Sequence, residues 1–289
     1  MGIICVRNLT KKYNDFTAVN SISFDVEKGT MLGFLGVNGA GKTTVINMLA
    51  TLLTPDGGSA EICGGTLGKD NRDIRRKIGI VYQQNCLDDI LTVRENLICR
   101  GIIHGASRAE AVKQCEKLSE ILKLGDILKK KYQTLSGGQK RRAEIAAALM
   151  HTPELLFLDE PTTGLDPATR KDVWGIIEEL QKNEKMTVFL TTHYMEEAAG
   201  ADKIIILDHG NIITQGTPFE LKEKYAMDRL RLIYKAGREE VIPIQTTMDA
   251  LPLIHKAENE IAGFEVIQGN MDDVFLNAVG KELNEERGI

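Results

Sequence analysis

Residues 36–44 read GVNGAGKTT, and their types and spacing are those that bind a chain of phosphates. They match G-x-x-x-x-G-K-[ST], a pattern in which glycines let backbone N–H groups curl around phosphate oxygens at a helix N-terminus. In such a loop Lys42 reaches the β- and γ-phosphates and the Thr43 hydroxyl binds Mg²⁺. The apolar run MLGFL before it and the helical run TTVINMLATLL after it provide the required strand–loop–helix setting. The predicted phosphate-binding residues are Gly36, Asn38, Gly39, Ala40, Gly41, Lys42, Thr43 and Thr44.

Two acidic residues follow an apolar run further along the chain. In LLFLDEP, residues 155–161, Asp159 ends the run and Glu160 comes directly after it. A carboxylate in the place of Asp159 holds Mg²⁺, and one in the place of Glu160 can orient and polarise a water molecule against the γ-phosphate. By itself the pair is also typical of an acidic turn, so its weight comes from the phosphate-binding pattern upstream.

Residues 135–139, LSGGQ, lie between these motifs and directly before the helical run KRRAEIAAALM. Two adjacent glycines ordinarily form a turn, and a serine before a helix is ordinarily an N-cap. The alternative is that the glycines bare the backbone for an anion, since a helix N-terminus carries about half a positive charge. Both interpretations predict that a helix begins within LSGGQ.

The three motifs in this order resemble the ATP-binding cassette (ABC) family, over roughly residues 3–222. The resemblance implies an ATPase that uses ATP and Mg²⁺. It also implies that LSGGQ contacts the ATP held by the phosphate-binding loop of a second subunit. The residues that would meet the partner's nucleotide are Ser136, Gly137, Gly138 and Gln139.

Four further residues match family positions. Tyr13 matches the aromatic that stacks on adenine, and Gln83 matches the Q-loop glutamine, which contacts Mg²⁺ and joins the catalytic core to a helical lobe. Asp166 matches the D-loop aspartate at the subunit interface, and His193 matches the switch histidine that aligns the attacking water with Glu160. The implied catalytic residues are Glu160, His193, Gln83 and Lys42, and the implied metal ligands are Thr43, Gln83 and Asp159.

Near-continuous apolar runs alternate with helical patterns, which favours the α/β class with a parallel sheet covered on both faces. The resemblance implies the P-loop NTPase fold of ABC ATPases, with a RecA-like parallel core, an antiparallel β subdomain and an inserted helical lobe. The predicted domains are an ATPase domain at residues 1–222, with the lobe at about 85–150, and a small α+β domain at residues 223–289.

The tail sequence MDDVFLNAVGKEL is similar to the ending of drug-exporter ABC ATPases, of the daunorubicin-resistance and sodium-export type. The family resemblance implies a second cassette as partner (a homodimer or a related chain), and the tail implies a separate integral-membrane permease of ABC-2 type. No stretch approaches the roughly 20 apolar residues that span a bilayer. We therefore expect a cytoplasmic protein bound at the cytoplasmic face of the cell membrane through its permease.

Two other function classes stay open at this point. One is a soluble ABC ATPase that acts on nucleic acid or the ribosome, and the other is the ATPase of an importer. The net charge of −5 argues against a nucleic-acid partner, and the basic runs at residues 129–131 and 140–142 are typical of solvated helix faces. The five cysteines are scattered and predict no zinc site.

Overall fold

The computed structural model describes residues 2–286, with side chains for all of these except Glu196 and residues 281–286. The strands are β1 (Gly2–Tyr13), β2 (Phe16–Glu27), β3 (Met31–Leu35), β4 (Gly57–Ile62), β5 (Gly65–Thr66), β6 (Ile78–Val81), β7 (Leu155–Asp159), β8 (Thr187–Thr192), β9 (Lys203–Asp208), β10 (Asn211–Gly216), β11 (Asp228–Tyr234), β12 (Glu239–Ile244) and β13 (Ile261–Ile267). The helices are α1 (Lys42–Leu49), α2 (Asn71–Lys77), α3 (Val93–Ile103), α4 (Arg108–Ile121), α5 (Gly137–Leu149), α6 (Pro167–Asn183), α7 (Met195–Ala198), α8 (Pro218–Tyr225), α9 (Ala250–Ala257) and α10 (Met271–Glu286). None of the helices described is both long and apolar enough to cross a membrane.

The central sheet has six strands in the order β10-β9-β3-β8-β7-β6. All neighbours are parallel except the edge strand β10, which is antiparallel to β9. Every residue of β3, β7 and β8 is buried, as the unbroken apolar runs predict for strands with both faces covered. The carboxyl ends of these parallel strands meet at one edge, so the loop after β3 lies beside the residues that follow β7 and β8.

An antiparallel sheet in the order β2-β1-β4-β5 covers one face of the core. Aromatic rings join the two sheets: Phe24 of β2 lies 5.7 Å from Phe34 of β3, and Phe34 lies 5.3 Å from Phe189 of β8, between ring centroids. Tilted rings at this separation pack favourably. The predicted combination of a parallel core and an antiparallel β subdomain is confirmed.

Helices α3, α4 and α5 form the inserted lobe between β6 and β7. Capping boxes fix the start of the first two, with Thr92 and Glu95 at α3 and Ser107 and Glu110 at α4. Each box satisfies two backbone N–H groups at the helix start and stabilises it by about 1 kcal/mol. Apolar residues of all three helices share one core, including Leu97, Cys115, Leu118 and Ile145.

Strands β12-β11-β13 make a third, antiparallel sheet in the C-terminal part. Helix α9 packs on it through a small separate core made of Leu230, Leu232, Ile244 and Ala250. The last helix, α10, instead returns to the main body, where Met271, Val274 and Ala278 are buried in its core beside α7 and α8. The predicted α+β appendage is present, and its final helix packs on the main core.

We expect His151, just beyond α5, to make the folded chain sensitive to acid. Its ring stacks on His104 at 4.0 Å, and burial lowers the pKa of His151 from 6.5 to about 4. The unfolded chain therefore binds this proton near pH 6.5 and the folded chain only near pH 4. Stability falls as the pH drops through that window and is unaffected by this ring above it.

In His151→Gln, the loss of unfolding free energy between pH 7 and pH 4.5 should shrink by about 2 kcal/mol, after discounting for partial solvent exposure. Urea unfolding at the two pH values measures it. The matched control is His255→Gln, because His255 is exposed on α9. Equal losses in His151→Gln and the wild type would show that this ring does not cause the acid sensitivity.

Candidate active site

The loop between β3 and α1 is shaped by glycines that no other residue could replace. A Cβ on Gly36 would lie 2.4 Å from the carbonyl oxygen of Leu207, and one on Gly41 would lie 2.4 Å from that of Ala18. Gly41 also has a φ of +105°, in the left-handed region. No side chain caps the start of α1 at Gly41, so its first N–H groups point into the loop. This is the geometry of a helix N-terminus that receives an anion.

Lys42 opens α1 and is 4% exposed. Its ammonium donates hydrogen bonds to the carbonyl oxygens of Gly36 at 2.7 Å and Val37 at 3.1 Å, and it lies 3.4 Å from a carboxylate oxygen of Glu160. A buried ammonium is costly unless it is paired in this way. The loop therefore holds a preplaced positive charge between its own backbone and Glu160, where it can bind a phosphate oxygen.

Asp159, the last residue of β7, collects two hydroxyl groups. Thr43 and Thr191 each donate to its Oδ1, at 3.2 Å and 2.7 Å. The carboxylate is 4% exposed, so the cluster is shielded from bulk water. A carboxylate beside a threonine hydroxyl at a phosphate-binding loop is the oxygen-donor set that Mg²⁺ prefers. The predicted pair of Asp159 and Thr43 therefore comes together and fits this metal.

The Glu160 carboxylate is the meeting point of the predicted catalytic residues. Its Oε2 accepts hydrogen bonds from the Gln83 amide at 3.3 Å and from the Thr163 hydroxyl at 3.0 Å. His193 Nδ1 lies 3.3 Å from the same oxygen, and Lys42 lies beside Oε1. Gln83, predicted as a metal ligand, thus contacts Glu160 here. The four predicted catalytic residues therefore come together from separate elements. Gln83, Glu160 and His193 follow β6, β7 and β8, and Lys42 begins α1.

Glu160 also has an unusual backbone. Its φ is +46°, in the left-handed region that non-glycine residues rarely adopt. Its N–H donates to both the hydroxyl and the carbonyl oxygen of Thr191, at 3.0 Å and 3.2 Å. Such strain costs about 1–3 kcal/mol and persists where surrounding contacts impose it, most often at functional sites. Here it turns the carboxylate out of line with β7 and toward the neighbouring strand end.

LSGGQ forms the start of α5, away from this cluster. Ser136 caps α5, accepting from the Gln139 N–H at 3.4 Å, while the Ser136 N–H donates to the Gln139 side chain at 3.1 Å. Gly137, the first residue of α5, is exposed. Gly138 is buried, and a Cβ there would lie 2.2 Å from Thr169 Cγ2, so tight packing of α5 against α6 is the reason for this glycine.

The remaining predicted residues are also apart from the cluster. Tyr13 ends β1, is 47% exposed, and has the Lys11 ammonium 5.6 Å from its ring centroid. Asp166 caps α6, where its side chain accepts a hydrogen bond from the N–H of Thr169 at 3.1 Å. Within residues 2–286, no hydrogen bond or ion pair joins Tyr13, Ser136 or Asp166 to residues 36–44.

A family model described as ABC transporter matches residues 19–163, which include the loop, LSGGQ and the acidic pair. The chain belongs to the ABC transporter family. It is an ATPase of that family, and its fold is the nucleotide-binding fold described above.

Known ABC proteins resemble the chain over different lengths. The daunorubicin/doxorubicin resistance ATP-binding protein DrrA of Streptomyces peucetius is 38% identical over 94% of this chain and 91% of its own. The Nod factor export ATP-binding protein I of Ralstonia nicotianae is 35% identical over 98% and 95%. The solved ABC cassette MJ0796, a dimer in a post-hydrolysis state with ADP and Pi, is 28% identical with a TM-score of 0.67, over 74% of this chain and 98% of its own.

One residue of this ABC ATPase site was predicted wrongly. The basic run at residues 140–142 was interpreted as a solvated face, but Arg141 is 5% exposed. Its guanidinium donates to the carbonyl oxygens of Tyr82 at 2.7 Å, Gln83 at 3.4 Å and Glu160 at 3.5 Å. Burial lowers the pKa of this guanidinium. The signal was the apolar stretch EIAAALM that follows, which predicts a helix buried on most faces.

Glu144, one turn further along α5, was missed entirely. Its Oε1 accepts from the backbone N–H groups of Cys86 at 2.7 Å and Leu87 at 3.1 Å, and from the Tyr132 hydroxyl at 2.7 Å. Burial and this carboxylate raise the pKa of the Tyr132 hydroxyl. Arg141 and Glu144 together tie α5 to the segment around Gln83, and so to the Glu160 cluster.

Proposed function

We propose that the chain is the ATP-binding and ATP-hydrolysing subunit of an exporter, and that it couples ATP-driven dimer closure to a separate permease of ABC-2 type. The observation that carries the hydrolytic role is the convergence of Lys42, Gln83, Thr163 and His193 on the Glu160 carboxylate. The export role is supported by relatives named for drug resistance and Nod factor export, which match nearly the whole chain, tail included.

The proposed nucleotide site uses residues 36–44 for the phosphates and Tyr13 for the adenine. The Lys42 ammonium binds the β- and γ-phosphates, and Thr43, Gln83 and Asp159 are the proposed ligands of Mg²⁺. The metal, when bound, neutralises charge on the phosphates. Glu160 orients and polarises the attacking water and accepts its proton, because it is the carboxylate held at the mouth of the loop.

His193 is proposed to hold Glu160 and the γ-phosphate in line. Its Nδ1 faces the Glu160 carboxylate at 3.3 Å, and its ring is 27% exposed, on the open side of the cluster. It can therefore contact Glu160 and a bound phosphate together. Gln83 is proposed to report occupancy of the site to the helical lobe, since Arg141 and Glu144 of α5 hold the backbone around it.

A second cassette is the proposed partner at the nucleotide, either a copy of this chain or a related one. Ser136 and Gly137 are exposed at the start of α5, and Gln139 contacts Ser136. A Cβ on Gly137 would lie 3.1 Å from Leu165, the residue before Asp166. The chain has one phosphate-binding loop and one LSGGQ, and within it the two are apart. Two complete sites therefore need two chains, as in the dimer described for the related cassette MJ0796.

We further propose the boundary at residue 222, with the helical lobe at about 85–150 and the small C-terminal domain at residues 223–289. The solved cassette covers about three quarters of the chain, whereas the export relatives cover nearly all of it. The C-terminal domain is thus a feature shared with the export relatives. We place the chain at the cytoplasmic face of the membrane through its permease, without a nucleic-acid partner.

Affinity isolation tests this function. The tagged chain is purified from detergent-solubilised membranes of the native host, and its partners are identified by mass spectrometry. We expect a protein with several apolar spans, in a complex that hydrolyses ATP. The Glu160→Gln chain, as the matched control, should bring down the same partner without hydrolysis. Recovery of ribosomes or nucleic acid in place of a membrane protein would overturn the export function.

A further inference from the structure

Glu197 is a buried carboxylate that the proposed reaction does not use. It lies on α7 and is 7% exposed. Each oxygen accepts one hydroxyl, Oε1 from Thr162 and Oε2 from Thr192 at 2.6 Å. Among the described residues, no Lys, Arg or His forms an ion pair with it. A buried carboxylate without a counter-ion is costly unless hydrogen bonds satisfy it, so the two threonine contacts must be well formed.

The two threonines belong to the two segments that build the catalytic cluster. Thr192 ends β8 directly before His193, and Thr162 follows Glu160 by two residues in the loop that leads to Asp166. Each hydroxyl is about 1% exposed and can donate only one hydrogen. Thr192 Oγ1, while donating to Glu197, accepts from the Tyr194 N–H at 3.0 Å. The carboxylate therefore sets the direction of both hydroxyls and joins the two segments.

The helix that carries Glu197, α7, is packed into the main core. The neighbouring residues Met195 and Ala198 on α7 are buried in this core, and α10 packs against the same short helix. A Cβ on Gly33 of β3 would touch Ala198 at 3.5 Å, so α7 lies closely on the central sheet. The carboxylate is thus anchored to the sheet that carries the phosphate-binding loop.

A second contact runs between the same two segments. The centroids of the His193 and Tyr194 rings lie 4.0 Å apart. The Arg170 guanidinium lies over the Tyr194 ring, 4.0 Å from its centroid. Arg170 also donates to the carbonyl oxygen of Leu165 at 3.4 Å, next to Asp166. Cation–π contact of this kind is worth about 0.5–2 kcal/mol. The strand end with His193 and the loop with Asp166 are therefore joined at two points.

We propose that Glu197 is a positioning residue for hydrolysis, which holds the His193 strand end and the loop after Glu160 in one fixed arrangement. The proposal rests on the proposed roles of Glu160 and His193. Glu197 touches neither the phosphate-binding loop nor the cluster itself and acts through Thr162 and Thr192. Its loss should therefore lower the rate of hydrolysis and leave the affinity for ATP unchanged.

The test uses Glu197→Gln and Thr192→Val in the full-length chain. A glutamine keeps the size of the side chain but offers one acceptor oxygen in place of two, so one threonine contact is lost. We expect kcat to fall by about 10- to 100-fold in each variant, since small misplacement of catalytic groups has effects of that size, with KM and ATP binding within about twofold of wild type. In the Thr162→Val/Thr192→Val background, Glu197→Gln should cause no further fall in kcat, because neither hydroxyl is left for the carboxylate to hold.

Thermal unfolding separates positioning from folding. The matched control is Glu178→Gln on α6, whose carboxylate pairs with Lys182 on the same helix. Should Glu197→Gln fail to fold, Thr192→Val and Thr162→Val carry the test, since valine keeps the shape of threonine. Wild-type kcat in folded variants, or a further fall in kcat when Glu197→Gln is added to the two valine changes, would overturn the proposal. Glu160→Gln runs in the same assay: if it too hydrolyses normally, the proposed role of Glu160 has failed, and with it the basis of the test.

Discussion

Glu160→Gln is expected to lower ATP hydrolysis by a factor of about 10²–10³ while ATP binding is kept, because the amide cannot accept the proton of the attacking water. The amide has the shape of the carboxylate and can still contact Gln83 and Thr163. Lys42 keeps the two carbonyl oxygens of Gly36 and Val37 as partners. The variant should therefore fold and bind nucleotide, and single-turnover hydrolysis with equilibrium ATP binding measures both effects.

The matched control for this change is Glu154→Gln. Glu154 lies directly before β7 and is exposed, with the Lys28 ammonium at 2.7 Å. Glu154→Gln makes the same chemical change as Glu160→Gln, but at the opposite end of β7. The Glu154→Gln variant should therefore hydrolyse ATP at the wild-type rate. If Glu160→Gln kept hydrolysis within about threefold of wild type, Glu160 would not be the general base.

Ser136→Arg is the second change with a large expected effect. A long cation at the exposed start of α5 would block the surface proposed to meet the partner's nucleotide, so hydrolysis should fall to background. Binding of ATP to the chain's own loop should be unchanged, because residues 36–44 lie apart from α5. Equilibrium ATP binding and steady-state hydrolysis, measured on the same sample, separate the two.

Loss of the N-cap has to be distinguished from loss of the interface. Ser136 caps α5, so its replacement by Arg, which cannot cap the helix, costs about 1 kcal/mol of stability. Ser107 caps α4 with the same box geometry, outside the proposed interface. Ser107→Ala should therefore lose a similar stability and keep full hydrolysis. Hydrolysis by Ser136→Arg at the wild-type rate would contradict the role of LSGGQ in completing a site.

The sequence predicted the fold because its strongest signals are local. Unbroken apolar runs identify the buried parallel strands. The loop before Lys42 has room only for glycine at two positions, and the sequence motif contains glycine at those positions. Parallel strands place their carboxyl ends together, so motifs that follow β3, β7 and β8 meet without further information. The pair of Thr43 and Asp159 and the contacts of Glu160 follow from this rule.

The unpredicted contacts depend on helix faces that pack against distant loops. Arg141 and Glu144 sit in a stretch whose charges look solvated. The apolar residues that follow indicate a buried helix, but only the packing of α5 against residues 82–87 shows what these two side chains contact. Gly138 is small because Thr169, on another helix, lies against it. Glu197 is likewise unremarkable in the sequence, since its two partners are threonines that precede it by 5 and 35 positions. Secondary-structure propensity and motif spacing do not predict such contacts between residues that are distant in the sequence.

The central claim is that one chain completes the ATP site of another. It is tested by mixing two variants that are expected to be inactive. Lys42→Ala lacks the charge proposed to bind phosphate, and Ser136→Arg lacks the proposed contact with the partner's nucleotide. In a mixed head-to-tail dimer, one site carries both defects and the other carries neither. Random pairing makes half of the dimers mixed, so the mixture should recover about a quarter of wild-type hydrolysis, given two equivalent sites in a symmetric dimer. A mixture that stays at background, while native mass spectrometry shows mixed dimers, would contradict the claim.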